Sequence, residues 1–327
     1  MKTLIVGAGM SGAACADLLE KAGHQVTVFD RATRVGGRLY TRHLPWADLD
    51  LGAQYFTARE PLFKTQVDNW HQSGIVQLWQ PTPWLTDNYN SHPSPDRQAR
   101  YIGFKNAQAP VVELLSSSHV YLQQHVEKVS RKNNQWYAQL SNHTQSGPYD
   151  TVVMALPLPL AADLFDETLI QTFDLPDIEV QATQVLAVQL ATPIKTEMAW
   201  SFVKDRPIDY LGQVSAKPNR NANGQTWLMH FTDGATQMYK YNATSSFVKL
   251  GLLQLEQIFS DNKLGECVNH YSYHHPYARI CSKNIKQSYY WQAEYGVGFC
   301  GDWCQAGRIE GAFLSGRQLA QRILNIQ

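Results

Sequence analysis

The chain has 327 residues, 44% of them hydrophobic and 17% charged, with 28 basic side chains balancing 28 acidic ones. That length allows about two globular domains, and a net charge of +0 without any basic run argues against nucleic acid or an anionic membrane as partner. No apolar run reaches the roughly 18 residues of a membrane span. The glycine-broken first segment has no cleavage pattern. The five cysteines, Cys15, Cys267, Cys281, Cys300 and Cys304, follow no metal spacing, so the expectation is a cytoplasmic protein with no metal.

The first thirty residues organise the rest. Lys2 to Val6 is an apolar run with the length of a buried parallel strand. It ends in Gly7-Ala8-Gly9-Met10-Ser11-Gly12, a G-x-G-x-x-G, and a helical pattern follows as far as Gly23. A second strand, Gln25 to Phe29, delivers Asp30. The first glycine serves the tight turn, the second lets backbone approach a pyrophosphate, and the third lets helix pack on strand. The helix N-terminus presents free N–H groups and the positive end of its dipole, to which Gly9, Met10, Ser11 and Gly12 would bring a phosphate. Asp30 stands where a carboxylate would accept from a ribose diol.

Arg31 opens a loop running through Val35-Gly36-Gly37-Arg38, in which adjacent glycines let backbone lie close to a ligand while a guanidinium neutralises phosphate. The sequence G-x-G-x-x-G, an acid, then G-G-R resembles FAD enzymes of the amine-oxidase type. Gly52-Ala53-Gln54-Tyr55-Phe56-Thr57-Ala58-Arg59 narrows the resemblance to the bacterial renalase-like flavoproteins. That resemblance implies Ala53 and Gln54 against the isoalloxazine ring and Tyr55 toward the substrate, although Tyr55 and Phe56 read equally well as core aromatics.

Residues 60–95 read as an insertion, helical from Phe63 to His71, then broken by Pro81, Pro83, Pro93 and Pro95. Its Trp70, Trp79, Trp84 and Tyr89 suit a wall for a planar substrate or a satellite core. Pro110 to Ser116 suggests a short helix. Val120 to Leu122, Val126 to Val129 and Trp136 to Leu140 suggest a meander turning at Asn133-Asn134, in which the resemblance implies backbone contact of Val126 with adenine. Tyr149 to Pro157 reads as another buried strand, ending in A-L-P, that returns into the first sheet. Strands are expected at 185–190 and 227–231, and a helix from Phe247 to Phe259. His230 sits on an apolar strand, where a core histidine is the usual reading. The cluster from His270 to Tyr277 has no metal-ligand spacing.

Gly298 to Asp302, Trp303 and Cys304 lead into a glycine-opened helix over 311–323. The resemblance implies that Gly301 and Asp302 meet the ribityl and phosphate arm, and that Glu310, Gly311 and Ala312 meet the flavin's N1–C2=O edge, where a helix dipole favours the anion of reduction. The expected fold is α/β: a Rossmann-like FAD-binding domain of the GR2 type with a second, α+β substrate domain on an antiparallel sheet. The FAD-binding domain would comprise 1–60, 96–157 and 280–327, and the substrate domain 61–95 and 158–279.

The resemblance implies a two-domain, p-hydroxybenzoate-hydroxylase-like flavoprotein with non-covalent FAD. The implied reaction is hydride transfer to flavin N5 from the 2- or 6-dihydro isomers of NAD(P)H, reoxidation by O2 giving NAD(P)+ and H2O2. Gln54, Tyr55, His230 and Trp303 are the residues expected at the substrate slot, with no further catalytic group assigned. Two alternatives stand beside it, an amine oxidase for a small amine and a non-catalytic FAD-binding protein.

Overall fold

The computed structural model describes residues 1–241, 243–260, 264–280, 285, 287–305 and 307–325. Cys281 lies outside them. Strand β1 (Lys2–Val6), helix α1 (Met10–Lys21) and strand β2 (Gln25–Phe29) form the expected opening unit. β1 is central in a six-stranded sheet, flanked in parallel by β2 and by Thr151–Met154. His119–Tyr121 extends the sheet beyond β2, and Val297–Phe299 extends it beyond Thr151–Met154. The final strand, Tyr290–Gln292, is antiparallel. Placement of 119–121 corrects the expected meander: it leaves that hairpin to join β2. The separate three-stranded sheet is Val126–Lys132, Gln135–Leu140 and Gln145–Tyr149. Its tight turn uses Asn133 and Asn134 at φ 51° and 61°, the left-handed region that Asn tolerates.

The last helix, Ile309–Leu324, packs along α1. Its Gly316 permits this, since a Cβ there would stand 2.0 Å from the Ser11 carbonyl oxygen. Helix α2 (Pro61–Gln72), expected on the substrate side, turns Phe63, Val67 and Trp70 into this same core against Phe313. Trp84–Thr86 and Ser91–Pro93 instead form the far edge of the second sheet.

That second sheet has seven strands, in the order Cys267–Ile280, Val180–Leu190, Thr226–Phe231, Ile208–Gln213, Trp200–Val203, Trp84–Thr86 and Ser91–Pro93. Strand alternation sorts its side chains. Leu186, Val188, Trp227, Met229 and Phe231 pack beneath helix Thr244–Ile258. Val185, Ala187, Leu228, Tyr210 and Trp200 face the other way, toward Leu49, Leu51 and Trp79. The segment from Asp48 to Tyr55 therefore lies between the two sheets. Among the described residues no helix is long and apolar enough to cross a membrane.

Candidate active site and dinucleotide cradle

The cradle begins where β1 ends. Gly7 takes φ 109°, and a Cβ on Gly12 would stand 2.0 Å from the Gly7 carbonyl oxygen, so only glycine lets α1 start there. A Cβ on Gly9 would meet nothing within 4 Å: the backbone at that point faces open space. No side chain caps α1, its first turn holds no acid, and Met10 and Ser11 are buried. A buried, uncapped helix N-terminus fits the oxyanions of a diphosphate. Asp30 ends β2; its two carboxylate oxygens each accept one backbone N–H, from Ala8 and Ala32, both at 2.8 Å. Those bonds fix the carboxylate and leave lone pairs on both oxygens. The chain before Val126 is tied to the same place, because Gln124 N–H donates to the Asp30 carbonyl. Val126 itself is buried at the start of its strand.

The glycine-arginine loop folds back onto this turn. Gly36 N–H donates to Ala8 O, and Gly37 takes φ 57° with its Cβ position 3.5 Å from Gly9 Cα. Arg31 stays exposed. Arg38 forms a two-pronged ion pair with buried Asp302, joining the two ends of the chain, and also donates to Ala278 O. Ala53 N–H donates to Arg38 O. Gly301 N–H is held by the Ser315 hydroxyl at 3.0 Å. Glu310 turns away from its own helix and accepts from the N–H groups of Arg59 (2.6 Å) and Glu60 (2.8 Å). Gly311 and Ala312 follow it in the first turn of the last helix. Separate predicted cradle segments thus converge.

Of the residues expected at the substrate slot, Gln54 and His230 meet, and Tyr55 follows Gln54 in the chain. Gln54 is 8% exposed. Its carbonyl oxygen accepts from Lys217 Nζ at 2.8 Å, and its amide nitrogen lies within bonding distance of the Asp50 and Gly52 carbonyls and, at 3.3 Å, of His230 Nε2. An ammonium only donates, so Lys217 fixes which way the amide faces, and its two N–H groups are shared among three acceptors, the two carbonyls and the His230 ring nitrogen. Tyr55 packs beside Trp79 and Trp200, and the buried Arg100 guanidinium lies 5.1 Å from its ring centre and bonds its hydroxyl. Trp303 corrects the expectation. It is 1% exposed, stacked on Tyr290, with its indole N–H donating to Leu156 O. The short turn after Gly301 folds the indole back over that glycine, where a Cβ would stand 2.4 Å from Nε1.

Sequence reasoning missed the buried charges beneath these groups. Asp50 accepts from Lys217 (3.0 Å), from Arg220 Nε (3.0 Å) and from the Thr41 hydroxyl (2.6 Å). Burial alone would raise the Asp50 pKa, but Lys217 and Arg220 overturn that and hold it below the usual carboxylate range. Burial and the neighbouring Arg220 push the Lys217 ammonium down from its ordinary value. Burial, with Arg279, His275 and Lys217 nearby, lowers His230 to about 3. Burial likewise lowers His275, which sits on Leu51 O, to about 4. Both rings are therefore neutral at physiological pH.

A glycine turn with a buried helix end and an acid beyond the second strand, with a second, mixed sheet packed beside them, define a dinucleotide-binding fold. The model of the family described as flavin containing amine oxidoreductase matches residues 96–324, and that of the NAD(P)-binding Rossmann-like domain matches residues 5–68. The chain belongs to the flavin containing amine oxidoreductase family, and FAD is its cofactor. Renalase from Mus musculus is 27% identical over 173 residues, half of this chain and 49% of its own length. An L-amino-acid oxidase from Siganus canaliculatus is 34% identical over 92 residues, covering 27% of this chain and 16% of that protein. The chain thus spans about half or less of these relatives. Wild-type putrescine oxidase bound to putrescine superposes at a TM-score of 0.72 with 14% identity, covering 99% of both chains. An oxidoreductase from Methanosarcina mazei superposes at 0.72 with 16% identity, covering 98% of this chain and all of that one.

Proposed function

We propose that this protein takes hydride from the 2- or 6-dihydro isomers of NAD(P)H and returns NAD(P)+, with O2 as the final acceptor. Non-covalently bound FAD supplies the hydride acceptor at its flavin N5 and delivers the electrons to O2 as H2O2. In this reading the α1 N-terminus, with Gly7 to Gly12, takes the diphosphate and Asp30 the adenosine ribose. Val126 backbone meets the adenine, Arg31, Gly37, Arg38, Gly301 and Asp302 line the middle of the cofactor, and Ala53, Gln54 and the 310–312 turn meet its ring. The domain division proposed is 1–60, 96–157 and 280–327 against 61–95 and 158–279, with α2 sharing the core of the first.

The observation that carries the substrate assignment is the charge around Gln54 and Tyr55. Three buried cations, Lys217, Arg220 and Arg100, underlie the lining. The carboxylates beside them are spent on them, Asp50 on the first two and Asp96 on Arg100. His230 and His275, at about 3 and 4, are feeble proton acceptors. Such a wall neither attracts an ammonium nor takes its proton. It suits a neutral dihydropyridine, whose aromatisation drives hydride loss without a protein base and which needs a fixed flat slot. The Lys217-held amide of Gln54 and the neutral His230 supply fixed polar contacts for such a ring.

A second reading, oxidation of an amine, draws on the family's description and on relatives named as oxidases of amino acids and putrescine. Anaerobic stopped-flow mixing separates the two. Borohydride-generated dihydronicotinamide isomers should bleach the flavin band rapidly, while monoamines, polyamines and amino acids should not. Rapid bleaching by an amine would overturn the assignment.

A further inference from the structure

Three arginines stand at the mouth of this site without a carboxylate within 4 Å among the described residues: Arg59, Arg97 and Arg308. All three are exposed, and they arrive from three separate segments that hydrogen bonds tie together. Arg59 Nη2 donates to the side-chain oxygen of Gln98 at 2.9 Å, and its backbone N–H is held by Glu310. Arg308 caps the helix that carries Glu310, two residues before it. Arg97 Nη1 donates to the Ser94 and Asp96 carbonyls at 2.9 and 3.2 Å. Arg100 Nη1 donates to Gln98 O, and its guanidinium lies over the Tyr55 ring. Arg308 lies within electrostatic reach of the Tyr55 hydroxyl, Arg59 is joined through Gln98 to the segment that carries Arg100, and Arg97 stands three residues before Arg100 on that same segment.

The nearby acids do not cancel them. Asp96 is hydrogen-bonded to buried Arg100 and to the Gln98 N–H, with Arg59 near enough only to add a weaker attraction. Glu310 is buried and committed to two backbone N–H groups. Glu60, next to Arg59, is exposed and has no ion pair among the described residues. Arg59 and Arg97 spend their donors on neutral oxygens. Arg308 makes no hydrogen bond to a described side chain. A guanidinium presents five donors in a planar fork suited to phosphate oxygens, so such a set leaves many donors facing outward beside the slot.

We infer that Arg59, Arg97 and Arg308 form a phosphate-binding rim that holds the phosphate-bearing part of the substrate while its reacting ring lies against Gln54 and Tyr55. This deepens the dihydronicotinamide reading and rests on it for the identity of the substrate. It also gives a reason for a dinucleotide over a small amine, since the rim repels an ammonium and anchors an oxyanion.

The test uses FAD-loaded protein and has two arms. In the first, inorganic pyrophosphate, ADP and adenosine 2′-monophosphate are titrated by calorimetry into wild type and into Arg59→Gln/Arg308→Gln. Wild type should bind, more weakly as salt rises, and the double variant should bind about tenfold to a hundredfold more weakly with its flavin spectrum retained. ADP and the 2′-phosphate distinguish which phosphate is read, and binding of either supports the rim. Wild type that ignores all three, or a double variant that binds like wild type, overturns it. Arg97→Gln alone, a smaller change in an exposed loop, keeps this arm decisive where the double variant does not fold. In the second arm, KM is measured for dihydro-NAD isomers and for a phosphate-free 1-methyl-dihydronicotinamide. Removing the arginines should raise the ratio of the first KM to the second by about tenfold or more. An unchanged ratio with rapid bleaching by both substrates overturns the rim and leaves the hydride chemistry standing. Pyrophosphate binding without bleaching by either substrate leaves the rim and overturns the hydride chemistry.

Discussion

Asp50→Asn is the most diagnostic substitution beneath the site. The asparagine keeps the shape and removes the charge that Lys217 and Arg220 approach to 3.0 Å each. Asp50 is 3% exposed, Lys217 5% and Arg220 7%, so solvent screens none of them well. Removing one partner from such a buried set costs about 3–5 kcal/mol, because uncompensated charge remains. With an unfolding entropy of about 2.1 cal/mol/K per residue, this chain should lose about 4–7 °C in Tm. Lys217→Met is the internal control. It leaves Asp50 with Arg220 and the Thr41 hydroxyl, so it should cost less, about 1–3 kcal/mol. Urea unfolding at pH 7.5, in saturating FAD to hold ligand linkage constant, reads both. A loss below about 1 kcal/mol for Asp50→Asn, or a larger loss for Lys217→Met, would refute a charge set centred on Asp50.

Gly12→Ala should give a poorly folded or colourless protein, since its Cβ meets Gly7 O at 2.0 Å; flavin absorbance of the purified variant checks this. Lys217→Met frees the Gln54 amide to turn, so the anaerobic bleaching rate should fall about tenfold or more with a smaller change in substrate Kd. The folded-state pKa values of His230 and His275 lie below the ordinary 6.5. Both contributions to stability are therefore complete above pH 6.5 and are lost as the pH falls toward about 3 and 4, at up to about 1.4 kcal/mol per pH unit each. Urea unfolding at pH 7.5, 6 and 5 should show that slope, reduced by about one proton in His230→Gln. A slope unchanged in that variant would show that His230 is not held neutral by the fold.

The opening unit was legible because its information is local. Turn, helix and acid fall within thirty residues, and Gly12 answers a contact with the carbonyl of Gly7 in the same turn. The last helix was legible from the pattern after Gly307, whereas the part given to Asp302 was implied by resemblance alone. The Asp50, Lys217 and Arg220 set was not, since Asp50 stands 167 and 170 positions from its two partners and no spacing rule links them. Trp303 misled because a tryptophan after a cofactor-side glycine has two directions open to it, and the short turn chooses the sheet. The helical pattern over 61–72 announced an amphipathic helix but not which of two cores would receive Trp70. His119–Tyr121 read as a hairpin partner because only the parallel register with β2 shows otherwise.

The bond between Arg38 and Asp302 spans 264 positions of the chain. During synthesis the glycine turn and Asp30 emerge first, long before Asp302 and the last helix. On the proposed assignment of those late residues to the cofactor's wall, capture of FAD comes late in synthesis, and a nascent chain stalled before residue 302 is expected to stay colourless.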